Sequence, residues 1–186
     1  VGSGKTAVAA YCMLATAATS VLGDKSEEDS SSTRSSARFQ AAIMAPTELL
    51  ARQHYHTLTS LLAERGSSLQ VGLLVGGQRI AERRKLREQI ESGEIQLVVG
   101  TQALICSEAA FANLGLVVID EQHRFGVLQR ALLRQGSRDP HTLVMTATPI
   151  PRTVAHAVYG DLDISVIDEL PPGRQEVATY RVANDQ

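Results

Sequence analysis

Short apolar runs alternate along the chain with longer segments in which apolar residues recur at three- and four-residue spacing. The runs predict strands, because a strand buried on both faces of a parallel sheet reads as a continuous apolar segment. The predicted strands are Phe39–Ala45, Leu69–Val75, Ile95–Val99, Leu114–Ile119, Thr142–Met145 and Ile164–Ile167. The predicted helices are Ala7–Leu22, Thr47–Arg65, Ile80–Ser92, Val127–Arg134 and a segment after Pro151. This alternation predicts an α/β domain with a mostly parallel sheet and helices on both faces.

Polar residues follow five of the predicted strands directly. They are Pro46-Thr47-Glu48, Gly76-Gly77, Gly100-Thr101-Gln102, Asp120-Glu121 and Thr146-Ala147-Thr148. The carboxyl ends of parallel strands meet at one edge of a sheet, and ligands bind there. We therefore expect these five loops to line one edge and to form the functional site.

Residues 23–38, GDKSEEDSSSTRSSAR, break the pattern, because they are Ser-rich, charged and without periodicity. They connect the first helix to the next strand, where about 2–6 residues are usual, and we predict a disordered insert. The chain as a whole has ordinary globular composition, with 44% hydrophobic and 20% charged residues among 186. That composition excludes wholesale disorder.

The net charge and the cysteines bear on the possible partners and on the cellular compartment. The formal net charge of −2 gives no global attraction to nucleic acid, so such a partner must be argued from local sites. No stretch approaches the ~18 apolar residues of a membrane span. Cys12 and Cys106 have no CxxC or His-rich neighbourhood, which favours reduced thiols in a cytoplasmic protein.

The chain opens on VGSGKT, and Gly4, Lys5 and Thr6 fill the last three places of the phosphate-loop pattern G-x-x-x-x-G-K-[ST]. Small residues such as Gly2, Ser3 and Gly4 let backbone N–H groups surround phosphate oxygens. The start of the following helix adds partial positive charge. Lys5 would contact the β- and γ-phosphates, and Thr6 would offer its hydroxyl to Mg²⁺. The alternative is a flexible Gly-rich loop that matches by chance.

Asp120 and Glu121 come directly after the apolar run LVVI. Asp120 would hold Mg²⁺ directly or through water. Glu121 would orient or deprotonate the attacking water, which requires a carboxylate within hydrogen-bond reach. The alternative is a helix N-cap and its neighbour. Combined with the phosphate loop, the pair predicts nucleotide hydrolysis with Glu121, Asp120 and Lys5 as the catalytic residues.

Residues 120–123, DEQH, form a DExH-type box, and TAT follows at 146–148. With these motifs the chain resembles the first motor domain of superfamily 2 helicases, which implies a RecA-like P-loop NTPase fold. The longer strings DEQHRFGV, MTATPIPRT and DLDISVIDELPPGR resemble the RecG family, the branched-DNA helicases of bacteria. The resemblance covers nearly the whole chain apart from residues 23–38.

The resemblance implies roles for the loop residues. It implies that Gly4, Lys5 and Thr6 bind ATP and that Asp120, Glu121, Gln122 and His123 form the hydrolysis motif. It implies that His123, Thr146 and Thr148 couple nucleotide state to DNA. It implies DNA contact for Pro46, Thr47, Arg52, Gly76, Gly77, Gly100, Thr101 and Gln102, although the family usually has His at the last position. Thr47 and Thr101 also fit the role of helix N-caps.

The resemblance further implies an ATP- and Mg²⁺-dependent motor that remodels stalled forks and Holliday junctions in bacterial DNA repair and recombination. It implies a monomer without a membrane partner. Residues 1–168 are expected to form the ATP-binding domain, and residues 169–186 a linker. We expect the chain to be a piece of a longer protein that adds a second helicase domain and an N-terminal DNA-recognition domain. Without the second domain, we expect negligible ATP turnover.

Three other functions stay open at this point. A duplex translocase of the transcription-repair coupling type shares the RFGV and TATPIPRT strings. A non-motor nucleotide-binding interaction module would need only the phosphate loop and the acids. A DExH RNA helicase fits on box type alone.

A basic helix face is predicted to be solvated, at Arg79, Arg83, Arg84, Lys85 and Arg87. Four histidines lack ligand spacing and suggest no further metal site, namely His54, His56, His141 and His156.

Overall fold

The computed structural model describes residues 4–19, 38–101, 104, 110–120, 140–147 and 163–167. Within these ranges the elements are α1 (Lys5–Ala18), β1 (Gln40–Met44), α2 (Glu48–Glu64), β2 (Val71–Leu74), α3 (Ile80–Glu91), β3 (Leu97–Gly100), β4 (Leu114–Asp120) and β5 (His141–Met145). From α1 to β3 this order confirms the predicted alternation of helices and strands, and β4 and β5 lie at predicted strands. Among these residues, no helix combines the length and the apolar character needed to cross a membrane.

The five strands form one parallel sheet in the order β2-β3-β1-β4-β5. Successive residues of the central strand β1 enter different cores. Ala41 and Ile43 join one buried cluster, and Ala42 and Met44 join the other. Because side chains alternate across a strand, the two clusters lie on opposite faces of the sheet. Both faces are therefore buried, as the continuous apolar runs predicted.

Helices cover the two faces separately. Ala9 and Met13 of α1 and Leu58 of α2 pack into the first cluster, together with Ile43. Ile90 of α3 packs into the second cluster. This arrangement confirms the predicted α/β class with helices on both faces of a parallel sheet.

By its internal contacts the chain divides into two compact units. One is Thr6–Pro149, which contains the sheet, and the other is Val1–Lys5 with Ile150–Gln186. Of the second unit, residues 4–5 and 163–167 belong to the described part. The predicted strand Ile164–Ile167 is wrong, because residues 163–167 carry no strand. Val166 is 74% exposed, so this apolar run is not a buried strand.

Three other predicted segments lie outside the described residues. They are the insert at 23–38, apart from Arg38, the helix Val127–Arg134 and the helix after Pro151.

Candidate functional site

The register of the sheet brings the carboxyl ends of all five strands to one edge. Gly100 pairs with both Met44 and Leu74, and Asp120 pairs with Met145. The loops after β1, β2 and β3 and the ends of β4 and β5 therefore meet at this carboxyl edge. This is the arrangement predicted from the polar residues that follow each apolar run.

The backbone turns sharply at the end of the phosphate-loop motif. Gly4 has φ +85, a left-handed conformation that residues with a side chain rarely adopt, and α1 begins at the next residue, Lys5. The glycine thus provides the turn that leads into the helix. Gly2 and Ser3, also predicted to bind nucleotide, lie outside the described residues.

The direction of α1 follows from contacts at its other end. A Cβ on Gly115, near the start of β4, would lie 3.1 Å from the Thr16 methyl carbon. The Phe39 N–H, just before β1, donates to the Thr19 carbonyl at 3.2 Å. The end of α1 therefore lies at the amino edge of the sheet. A helix of 14 residues is about 21 Å long, so its first turn, with Thr6, lies toward the carboxyl edge.

Asp120 ends β4 at this edge, and its carboxylate contacts a residue that the sequence did not indicate. His54 Nε2 lies 2.8 Å from Asp120 Oδ2, and the two side chains are 7% and 15% exposed. In the sequence His54 lacks ligand spacing and ends the string APTELLARQH, which resembles a DNA-facing motif of the family, so no role at the magnesium site was predicted for it. One signal was available, since His54 shares the buried face of α2 with Ala51, Leu58 and Leu62. A buried imidazole on such a face requires a hydrogen-bond partner.

The loops after β1 and β2 approach each other around the start of α2. Thr47 is the N-cap, and its side-chain oxygen accepts from the Leu50 N–H at 3.3 Å. Glu48 accepts two hydrogen bonds from Arg52, at 2.7 and 3.1 Å. The Glu48 carboxylate also faces the Gly77 turn, where a Cβ would lie 3.7 Å from it. Capping uses a lone pair of the Thr47 hydroxyl and leaves its hydrogen for another acceptor.

Backbone hydrogen bonds tie the loop after β3 to its two neighbours. The Ala45 N–H donates to the Gly100 carbonyl at 2.9 Å, and the Thr101 N–H donates to the Leu74 carbonyl at 3.3 Å. Gly100 is tightly enclosed, because a Cβ there would lie 2.6 Å from the Leu74 carbonyl oxygen. The three loops therefore form one connected surface at the carboxyl edge.

The remaining predicted site residues divide into two groups. Thr146 directly follows β5 and is partly buried at the same edge. Gln102, Glu121, Gln122, His123 and Thr148 lie outside the described residues.

Sequence comparison identifies the family of this chain. A profile of the DEAD/DEAH box helicase family matches residues 1–157, most of the chain. The chain belongs to the DEAD/DEAH box helicase family. Membership in this helicase family implies the use of ATP, in agreement with the phosphate-loop motif at its start.

Among the relatives of this helicase domain is the ATP-dependent DNA helicase RecG of Streptococcus pneumoniae, 44% identical over 186 residues, which are 100% of this chain and 24% of the relative. RecG of Synechocystis is 50% identical over 182 residues, or 96% of this chain and 19% of the relative. The helicase domain thus spans about a quarter or less of these relatives. These matches confirm the similarity to RecG that the motifs predicted.

Comparison with solved structures supports the same family assignment. A structure of RecG bound to a three-way DNA junction has a TM-score of 0.71 and 43% identity, covering 95% of this chain and 21% of that one. A structure of S. cerevisiae Dbp5 has a TM-score of 0.58 and 20% identity, covering 86% of this chain and 40% of that one. The second match is a likeness of fold alone. Together they confirm the predicted RecA-like fold for this helicase domain.

Proposed function

We propose that this chain is the ATP-binding motor domain of a helicase that remodels branched DNA, such as stalled forks and Holliday junctions, in repair and recombination. The observation that carries the proposal is identity of 44–50% to RecG proteins over nearly the whole chain. A RecG structure with this domain similarity is bound to a three-way DNA junction. The chain spans about a quarter of these relatives, so the proposal concerns the full-length protein.

In the proposed nucleotide site, the phosphates would bind at the start of α1. Gly2, Ser3, Gly4 and Lys5 would bind them through backbone N–H groups and the lysine ammonium. The left-handed backbone of Gly4 and the helix that begins beside it support this assignment.

Mg²⁺ fits the residues at the carboxyl edge. Thr6 and Asp120 both lie toward this edge, and hydroxyl, carboxylate and water oxygens are the ligands that Mg²⁺ prefers. Bound there with the nucleotide, the ion would neutralise charge on the phosphates. Asp120 uses Oδ2 to accept from His54, and its Oδ1 would face the ion or an ion-bound water. Glu121, the next residue, would hold and deprotonate the attacking water.

The DNA part of the proposal uses the surface formed by the loops after β1, β2 and β3. Small residues let a phosphate backbone approach closely, and N-cap positions present N–H groups to phosphate oxygens. The proposed contacts are Pro46, Thr47, Arg52, Gly76, Gly77, Gly100, Thr101 and Gln102. Thr146, His123 and Thr148 would couple this surface to the nucleotide. We retain residues 1–168 as the proposed ATP-binding domain and 169–186 as the linker toward a second domain.

Changing Glu48 to glutamine is expected to tighten DNA binding by the full-length protein about two- to fivefold at low salt. The Glu48–Arg52 pair is exposed and one helical turn apart, a type worth about 0.3–0.5 kcal/mol. Breaking it releases Arg52 for phosphate and removes a negative charge from the proposed DNA surface. Fluorescence anisotropy with labelled forked DNA measures the effect, which should shrink at high salt.

The matched control is Glu88→Gln, which breaks the similar exposed pair of Arg84 and Glu88 on α3. That helix face is predicted to be solvated, so DNA affinity should stay at the wild-type value. Equal tightening by both variants would point to net charge alone and would contradict a specific role for Arg52.

The proposed function is tested by steady-state ATP hydrolysis of the full-length protein with forked DNA, plain duplex and single-stranded RNA. We expect strong stimulation by forks that the Glu121→Gln variant abolishes. Equal stimulation by plain duplex would instead support a duplex translocase of the transcription-repair coupling type. Absence of stimulation by any nucleic acid would overturn the motor and leave a nucleotide-binding module.

A further inference from the structure

We propose that His54 is a positioning residue for the magnesium site, because it fixes the orientation of the Asp120 carboxylate. The inference rests on the proposed function, in which Asp120 holds Mg²⁺ directly or through water. It adds a residue from the middle of α2 to a site that the sequence motifs place in the phosphate loop and at the end of β4.

The geometry is that of a hydrogen bond rather than a loose contact. The distance from His54 Nε2 to Asp120 Oδ2 is 2.8 Å, and little of either side chain is exposed. An ionised carboxylate only accepts hydrogen bonds, so the imidazole donates through Nε2–H. The bond holds one carboxylate oxygen and leaves the other, Oδ1, for the ion.

The helix holds His54 firmly enough for this role. Its neighbours on the same face of α2, Ala51 and Leu58, are buried in the core cluster under the sheet. Asp120 is the last residue of β4, which pairs on both sides, with β1 and β5. Two elements packed in one core therefore set the distance between donor and acceptor.

Hydrogen bonds to a metal-binding carboxylate orient it, and loss of such a partner typically lowers metal affinity or activity by about 10–100-fold. A histidine that served only core packing would affect stability and leave the magnesium dependence unchanged. The two roles are therefore separable by titration with the metal.

The test uses the full-length protein and the fluorescence of a methylanthraniloyl-ADP probe, titrated with Mg²⁺ and measured separately in EDTA. His54→Leu is expected to raise the half-saturating Mg²⁺ concentration about 10–100-fold, with nucleotide binding in EDTA unchanged. His54→Gln, whose amide nitrogen reaches toward the Nε2 position, should restore most of the wild-type value. The exposed His56 on the same helix gives the control His56→Leu, which should behave as wild type.

A wild-type magnesium titration in His54→Leu would overturn the positioning role while leaving the proposed function intact. If circular dichroism shows that the leucine variant is unfolded, the magnesium titrations of His54→Gln and His54→Asn are compared instead. The longer amide should retain the magnesium affinity, the shorter should lose it, and equal values would overturn the proposal. Failure of the wild-type protein to show magnesium-dependent nucleotide binding would instead contradict the proposed function itself.

Discussion

Replacing Asp120 with asparagine is expected to lower nucleic-acid-stimulated ATP hydrolysis by the full-length protein at least about 100-fold. The change keeps the shape of the side chain and an oxygen that can accept from His54 Nε2 at the observed 2.8 Å. It removes the negative charge that would hold Mg²⁺ at the end of β4. Losing one preorganised group that stabilises developing charge typically costs 10²–10³-fold in rate.

Steady-state ATP hydrolysis with forked DNA measures this effect, and circular dichroism checks that the variant folds. Glu91→Gln is the matched control, because it makes the same acid-to-amide change at the exposed last residue of α3. That helix leads back to the start of β3, so Glu91 lies at the amino edge, away from the site. Turnover above one tenth of the wild-type rate in Asp120→Asn would contradict a magnesium role for this carboxylate.

The three central strands of the sheet were predictable because most of their residues are buried on both faces. The runs FQAAIMA and LGLVVID leave only one arrangement for their side chains, between two helical layers. The same reasoning failed at Ile164–Ile167, where three apolar residues are exposed instead of paired. A strand can be buried only if a neighbouring strand pairs with its backbone N–H and C=O groups. The sequence of a short apolar run does not show whether such a partner strand is present.

Contacts between residues close in sequence were predictable at the site, and contacts between residues far apart in sequence were not. The Thr47 cap depends on adjacent residues, so the sequence sufficed to predict it. The Glu48–Arg52 pair is also local, because residues one helical turn apart are neighbours on a helix surface. The contact between His54 and Asp120 joins residues 66 positions apart. It depends on how α2 crosses the sheet, and no local pattern encodes that packing.

Replacing Gly100 with alanine is expected to destabilise the sheet at its carboxyl edge by about 1–3 kcal/mol, the usual cost of adding a carbon to a filled core. The added Cβ would lie 2.6 Å from the Leu74 carbonyl oxygen and 3.1–3.2 Å from two carbons of Leu104. A rotamer change can move Cδ1 of Leu104, but its Cβ and the Leu74 carbonyl are held by the backbone. Moving this carbonyl also weakens the bond that it accepts from the Thr101 N–H.

Hydrogen exchange in the full-length protein measures the loss locally. The amides of β1 and β3 should exchange about 5–100-fold faster, since 1.4 kcal/mol corresponds to a factor of ten. Gly76→Ala is the matched control, because a Cβ there meets no atom within 4 Å and its φ is not left-handed. Unchanged exchange in Gly100→Ala would contradict the close approach of β2 and β3. Faster exchange in that variant alone would show that Gly100 is required by packing, whether or not its backbone also contacts DNA.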